Sequence, residues 1–368
     1  MKHNSFFYLP AVMMAGALLL FAACKKDNAG ATVDLSASGS ANCYVVSAPG
    51  RYSLKTVRGI TSASLTNVSS VEVLWESFGT AVTPGVGDII SNVSYADNKI
   101  TFSTPSSLKN GNAVIAAKDG SGEILWSWHI WVCDGFNPAS TAQTYNNSAG
   151  VMMDRNLGAT SATPGDVGAL GLLYQWGRKD PFLGSDGISS ATQAASTISW
   201  PDQVSSNSTT GLPLYTVQHP TTFVAYNTKN YDWYYTGDDK TDNDRWQTTK
   251  TIYDPCPPGW RVPSGGSSSG VWSKANGSSN WFGHTWDATN MGMNFSGKFG
   301  DAATIWYPAA GWLFYGGGLS QVGSLGRWWS CTPTGNKVYF FSLDENGVYP
   351  ANNDGSRASG FSVRCVRE

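Results

Sequence analysis

Hydrophobic and polar positions divide the chain into stretches of different grain. Residues 6–23 are almost uniformly apolar, including Met13, Met14, Leu18, Leu19, Leu20 and Phe21. Residues 25–40 are small and polar, with few apolar side chains. From 41 to 135 the pattern becomes short runs bounded by turn residues. The runs 42–46, 70–75, 89–95, 99–102, 113–117 and 123–132 have the length and alternation of β-strands. Ala96-Asp97-Asn98 and Asp119-Gly120-Ser121-Gly122 mark hairpin turns between neighbouring runs. In the last run Trp126, Trp128 and Ile130 face one way, and Leu125, Ser127, His129 and Trp131 the other. Strands at this spacing predict an immunoglobulin-like β-sandwich over 41–135. Residues 136–150 are mostly Ser, Thr, Asn and Ala and read as a linker. From 151 to 368 the apolar residues form small aromatic clusters between Gly, Asn, Asp and Ser, a loop-rich domain. Its predicted strands are 328–330, 338–343 and 361–366, with Asp344-Glu345-Asn346-Gly347 as a hairpin turn. The expected fold class is mostly β with some α+β character.

The first stretch is a targeting signal. Lys2 and His3 precede the apolar run, and Phe21-Ala22-Ala23-Cys24-Lys25-Lys26 closes it. That ending resembles the lipobox of bacterial lipoproteins. The resemblance implies cleavage after residue 23, acylation of Cys24 and attachment to the outer membrane through lipid, at the cell surface. Acyl chains contribute roughly 0.8 kcal/mol per buried methylene, and more than one chain is needed for stable anchoring. Residues 24–40 then serve as a flexible tether. With the sandwich they would form a stalk that carries 151–368 away from the membrane.

Composition narrows the function. Net charge is −2 and charged residues are only 14% of the chain, so nothing basic points to nucleic acid. The 41 glycines and 16 tryptophans suit a loop-rich extracellular protein. Beyond Cys24 the cysteines are Cys43, Cys133, Cys256, Cys331 and Cys365, an odd set that leaves one thiol free. Connectivity cannot be deduced from spacing. Cys43 and Cys133 bracket the predicted sandwich and are one candidate pair.

Four segments carry a more specific resemblance. They are Val151-Met152-Met153-Asp154-Arg155-Asn156-Leu157-Gly158, Leu173-Tyr174-Gln175-Trp176-Gly177-Arg178-Lys179-Asp180, Tyr253-Asp254-Pro255-Cys256-Pro257-Pro258-Gly259-Trp260-Arg261-Val262-Pro263-Ser264, and Gly360-Phe361-Ser362-Val363-Arg364-Cys365-Val366-Arg367. Together they resemble the Fibrobacter succinogenes major paralogous domain, found in surface lipoproteins of the Bacteroidetes. That family is similar to the C-type-lectin-like fold shared with formylglycine-generating enzymes. The resemblance implies a C-type-lectin-like domain over 151–368 whose first and last strands pair, and a Cys256–Cys365 disulfide.

Three roles follow for testing. A formylglycine-type oxidase needs two neighbouring cysteines, and Cys331 and Cys365 stand in a different context. No HExxH or phosphate loop occurs, and His129, His219 and His284 are isolated. Sugar-binding lectins of the calcium type carry Glu-Pro-Asn or Gln-Pro-Asp with Trp-Asn-Asp, none of which is present. Asp238, Asp239, Asp242 and Asp244 offer oxygen donors for Ca2+ without the spacing of a calcium loop. Otherwise no cofactor is expected. Aromatic side chains remain, and their faces stack on sugar rings. Tyr231, Trp233, Tyr235 and Trp246 are the candidate surface cluster, with Asn336, Asp354 and Arg357 on the long-loop face. Trp306, Tyr307, Trp312, Phe314, Tyr315, Trp328 and Trp329 also crowd this domain and are expected mostly to fill its core. The expectation is a non-catalytic adhesion module for a glycan or a surface protein. The alternatives are a minor or tip subunit of a lipoprotein-derived pilus, in contact with other pilus subunits, and the oxidase.

Overall fold

The computed structural model describes Met1 and residues 31–184, 202–228, 230–238, 240–277 and 284–368. The predicted signal, Cys24, residues 25–30 and Asp239 lie outside the described residues. Residues Ala31–Glu368 form one compact unit. The fold is mostly β, as expected. Among the described residues the α-helices are two six-residue segments, Pro213–Gln218 and Val271–Asn276.

The N-terminal strands are β1 (Val33–Asp34), β2 (Cys43–Val46), β3 (Arg51–Lys55), β4 (Ser70–Ser77), β5 (Ser91–Ala96), β6 (Lys99–Ser103), β7 (Gly111–Lys118) and β8 (Ile124–Val132). They form two four-stranded sheets, ordered β1-β3-β6-β5 and β2-β8-β7-β4. The sheets enclose a core that includes Leu54, Ile100 and Phe102 from one side and Ile115, Trp126, Trp128 and Ile130 from the other. The β5–β6 turn places Asp97 and Asn98 at φ 51° and 57°, two consecutive left-handed residues that short polar side chains tolerate.

Strand β8 has no solvent face. Trp126, Trp128 and Ile130 enter the sandwich core, while Trp131 joins a second core with Leu157, Tyr174 and Trp176. On that second face His129 contacts Asn112 at 2.9 Å, and Ser127 Oγ donates to Asp180 at 2.6 Å. An indole of ~200 Å² contributes roughly 5 kcal/mol at most when buried. The β2-β8-β7-β4 sheet is therefore a middle layer. The sandwich lies against the C-terminal residues instead of standing below them as a stalk.

The boundaries shift accordingly. Residues 31–40, placed in the tether, belong to the fold. β1 pairs in parallel with β3, Asp34 accepts from Lys99 at 2.9 Å, and the Ser36 and Tyr44 hydroxyls meet at 3.0 Å. Residues 136–150, read as a linker, carry the strand Gln143–Tyr145, which pairs with Gly150–Met152. Phe136 is buried against Trp131, with the Arg155 guanidinium 3.9 Å above its ring. Small polar residues here conceal two anchors, Phe136 and Tyr145.

In the C-terminal region Met152 pairs with Val366, so the first and last strands meet. A seven-stranded sheet contains Leu173–Gln175, Ala310–Leu313, Leu319–Val322, Leu325–Thr334, Lys337–Asp344, Gly347–Gly355 and Gly360–Ser362. Cys256 and Cys365 form a disulfide. The other candidate pair does not form: Cys43, Cys133 and Cys331 are free and buried. The parallel β2–β8 register sets Cys43 opposite His129. Cys133 is four residues further along, roughly 13 Å at strand rise, beyond disulfide reach.

Candidate functional site

The predicted aromatic cluster separates into core and surface. Trp233 and Trp246 are fully buried and are not ligand-binding groups. Trp233 Nε1 donates to the Trp176 carbonyl at 2.8 Å, and Trp246 Nε1 to that of Tyr253 at 2.8 Å. Arg357, placed on the loop face, is fully buried too. Its guanidinium lies 4.6 Å from the Trp176 ring and donates to the carbonyls of Asp242 and Gly335 and to Asn243 Oδ1. Arg245 inserts between Trp233 at 4.3 Å and Trp176 at 5.0 Å. Both arginines share one buried carboxylate, Asp232, at 2.6 Å from Arg245 and 3.6 Å from Arg357. Burial pulls Arg357 down to about 10, opposed by Asp232. This Trp–Arg stack is a structural spine that fixes residues 231–246 onto the sheet.

The acidic candidates do not converge. Asp238 accepts from the Tyr235 hydroxyl at 2.8 Å, a bond that raises the Tyr235 pKa. Asp242 Oδ1 accepts from the Asp244 amide, and Asp244 Oδ1 from Gln247. Among the described residues no three His, Cys, Asp or Glu side chains gather around a possible cation position.

A different arrangement is open to solvent. The hairpin joining Ala310–Leu313 to Leu319–Val322 turns tightly, with Phe314 N donating to the Gly318 carbonyl at 2.7 Å and Gly317 N to that of Phe314 at 2.6 Å. Gly317 sits at φ 91°, and a Cβ there would meet Gln203 Oε1 at 2.9 Å. The turn presents Phe314 and Tyr315 outward. Tyr226 N donates to the Tyr315 carbonyl, which holds their rings 4.2 Å apart. Tyr226 in turn lies 6.2 Å from Tyr231, nearly parallel to it. At the other end Phe314 meets Trp312 edge-on at 5.3 Å. Trp312, Phe314, Tyr315, Tyr226 and Tyr231 thus form one ribbon of rings. Phe314 and Tyr231 are the most open, at 39% and 41%. Tyr231 is also left-handed, φ 57°, a conformation that costs of order 1 kcal/mol in an L-residue. It is held there by its amide bond to Asn227 and by Ser356 Oγ donating to its carbonyl at 2.7 Å.

A cation caps each end. The Arg327 guanidinium lies 4.1 Å over Trp312, and Lys337 Nζ lies 3.5 Å over Tyr231. Burial lowers the pKa of both, and the charge of exposed Asp354 opposes the shift in each case. Asn336 occupies the turn next to Lys337. Of the predicted candidates, the structure brings Tyr231 and Asp354 to this ribbon, puts Asn336 at its edge, and leaves Tyr235 on the acidic loop. Sequence reading missed Tyr226, Arg327 and Lys337, and assigned Trp312, Phe314 and Tyr315 to the core. The Gly316-Gly317-Gly318 run after Phe314-Tyr315 was the available signal, since a glycine turn exposes the side chains at its start.

Groups that could do covalent chemistry are tuned away from it. Burial drives His129 down to about 3, and pushes the Cys331 thiol up to about 11 and Cys43 higher still. Cys365, the partner a two-cysteine oxidase site would need near Cys331, is bonded to Cys256. A second concavity, about 410 Å³, is lined by Trp286, Met291 and Leu325 with Asp344 and Glu345. Its described lining has no cation and one aromatic ring. Comparison with family models, with curated proteins and with solved structures gives no match to this chain.

Proposed function

We propose that the chain is a non-catalytic, lipid-anchored surface protein that binds glycan through the ribbon from Trp312 to Tyr231, in a C-terminal region of the C-type-lectin-like kind. One observation carries the reading: five neighbouring rings, partly open to solvent, are bordered by Arg327, Lys337 and Asp354. Sugar rings present apolar C–H faces that stack on aromatic faces, and their hydroxyls require polar groups at the rim. Both are present within one patch. The rings are held by backbone bonds and packing, so little ordering entropy opposes binding. The inertness of His129 and the buried thiols supports a binding role over a catalytic one. The lipobox-like sequence ending at Cys24 supports display on the outer membrane. The test is binding of the purified full chain to immobilised neutral and acidic oligosaccharides, with the double variant Trp312→Ala/Tyr231→Ala alongside. The reading expects signal for a subset of glycans that the variant loses. No signal for any glycan would remove it.

A further inference from the structure

The two half-buried cations at the ends of the ribbon differ from the fully buried basic groups. Arg178, Arg245, Arg357, Lys179 and Lys250 each hold hydrogen bonds to carbonyls or carboxylates inside the fold. Arg327 holds none: its Nε is buried without a hydrogen-bond partner, and its guanidinium lies against the rings of Trp312, Phe340 and Phe361. Lys337 Nζ faces the Tyr231 ring, and neither cation forms an ion pair with a described residue. Asp354 acts on both electrostatically but lies beyond ion-pair distance of either. Desolvating a guanidinium without giving it an acceptor is unfavourable. Here Arg327, half-buried on an interior strand of the sheet, holds its guanidinium against aromatic faces with no internal acceptor, leaving donors for an external one.

We infer that the ribbon is selective for carboxylated sugars, with Arg327 as the carboxylate-binding residue. The guanidinium fork matches a carboxylate in two parallel hydrogen bonds, and stacking on Trp312 fixes its plane. A uronate or sialate ring has the required form: a carboxylate on a ring whose C–H face can lie along the aromatic rings. Lys337 adds positive charge at the far end of the ribbon. Asp354 sets a limit by partly neutralising both cations, which disfavours ligands that offer charge without a ring.

This inference rests on the ribbon being the glycan site, and the experiment separates the two. The full chain is titrated with oligogalacturonate and its carboxyl-reduced form, with sialyllactose and lactose, and with dextran sulfate. The expected result is binding of one or both carboxylated sugars at least tenfold tighter than their neutral counterparts. Arg327→Gln and Arg327→Lys should each lose roughly 10- to 100-fold for that ligand, as expected for charge-assisted bonds. Asp354→Asn, at an exposed position, should instead tighten it. Equal binding of carboxylated and neutral forms overturns the acid selectivity and leaves the glycan site standing. Binding of dextran sulfate as tight as that of the carboxylated sugars overturns it as well, because the patch then reads charge alone. Binding of none of the probes overturns both. The preferred member of the oligogalacturonate and sialyllactose pair identifies the sugar class.

Discussion

Asp232→Ala is predicted to be among the most destabilising single changes in this protein. The Asp232 carboxylate is fully buried, 2.6 Å from Arg245 and 3.6 Å from Arg357, and its Oδ1 accepts from the Tyr234 amide at 3.1 Å. At an effective dielectric near 20 the two contacts represent gross attractions of about 6 and about 5 kcal/mol. Desolvation of three charged groups cancels most of that. The alanine variant keeps the desolvated cations and loses the carboxylate. Arg357 retains three backbone carbonyls and Asn243, whereas Arg245 retains only long contacts to Asp242 O at 3.2 Å and Trp176 O at 3.5 Å. The expected net loss is therefore roughly 3–5 kcal/mol, the usual cost of removing one partner from a buried pair. Arg245 accounts for most of it, so Asp232→Ala/Arg245→Met should recover part of the loss. Guanidinium unfolding at pH 7, followed by near-ultraviolet circular dichroism of the buried tryptophans, measures both variants. If Asp232→Ala unfolds within about 0.5 kcal/mol of the wild type, the stacked rings and carbonyls alone satisfy the arginines, and the spine described above is wrong.

Two further outcomes concern stability. The Cys256–Cys365 bond closes a span of 109 residues, so reduction should cost about 4–5 kcal/mol if loop entropy dominates. An unfolding midpoint unchanged by reductant would contradict this. His129 is pulled down to about 3 by burial. The unfolded chain therefore binds a proton below about pH 6.5 that the folded chain rejects, and stability falls as pH drops. Between about pH 5.5 and 3.5 the wild type should lose roughly 1.4 kcal/mol per pH unit more than His129→Gln. Parallel pH profiles for the two would refute that account of His129.

Much of the fold was legible in the chain, and the failures have identifiable causes. The two-faced aromatic pattern of 123–132 correctly divided Trp128 from Trp131, and Asp97-Asn98 marked the β5–β6 hairpin. What covered the second face of β8 was not visible, because the partners Leu157, Tyr174 and Trp176 lie in other segments. The Cys43–Cys133 expectation failed on strand register, which separation along the chain does not report. Trp233 and Trp246 were read as surface groups because polar neighbours surround them; those neighbours include Asp232 and Arg245, which are themselves buried as a pair. Trp312, Phe314 and Tyr315 stand among apolar and glycine residues, between Ala309-Ala310-Gly311 and Gly316-Gly317-Gly318, and are partly open. The difference lies in the glycine turn after Tyr315 and in the contact with Tyr226, which comes from 89 residues earlier in the chain.

The central claim is that the open ribbon, and not the buried tryptophans, takes the glycan. It is tested most directly by isothermal titration of the full chain with the best-binding oligosaccharide of the immobilised set, comparing Trp312→Ala and Tyr315→Ala with Trp246→Phe. Each ribbon variant should weaken binding about 2- to 10-fold while the chain stays folded, the scale of one aromatic contact. Trp246→Phe should lower stability through loss of its bond to Tyr253 while leaving affinity unchanged. Ribbon variants that bind like the wild type, or a folded Trp246→Phe that has lost affinity, would contradict the claim.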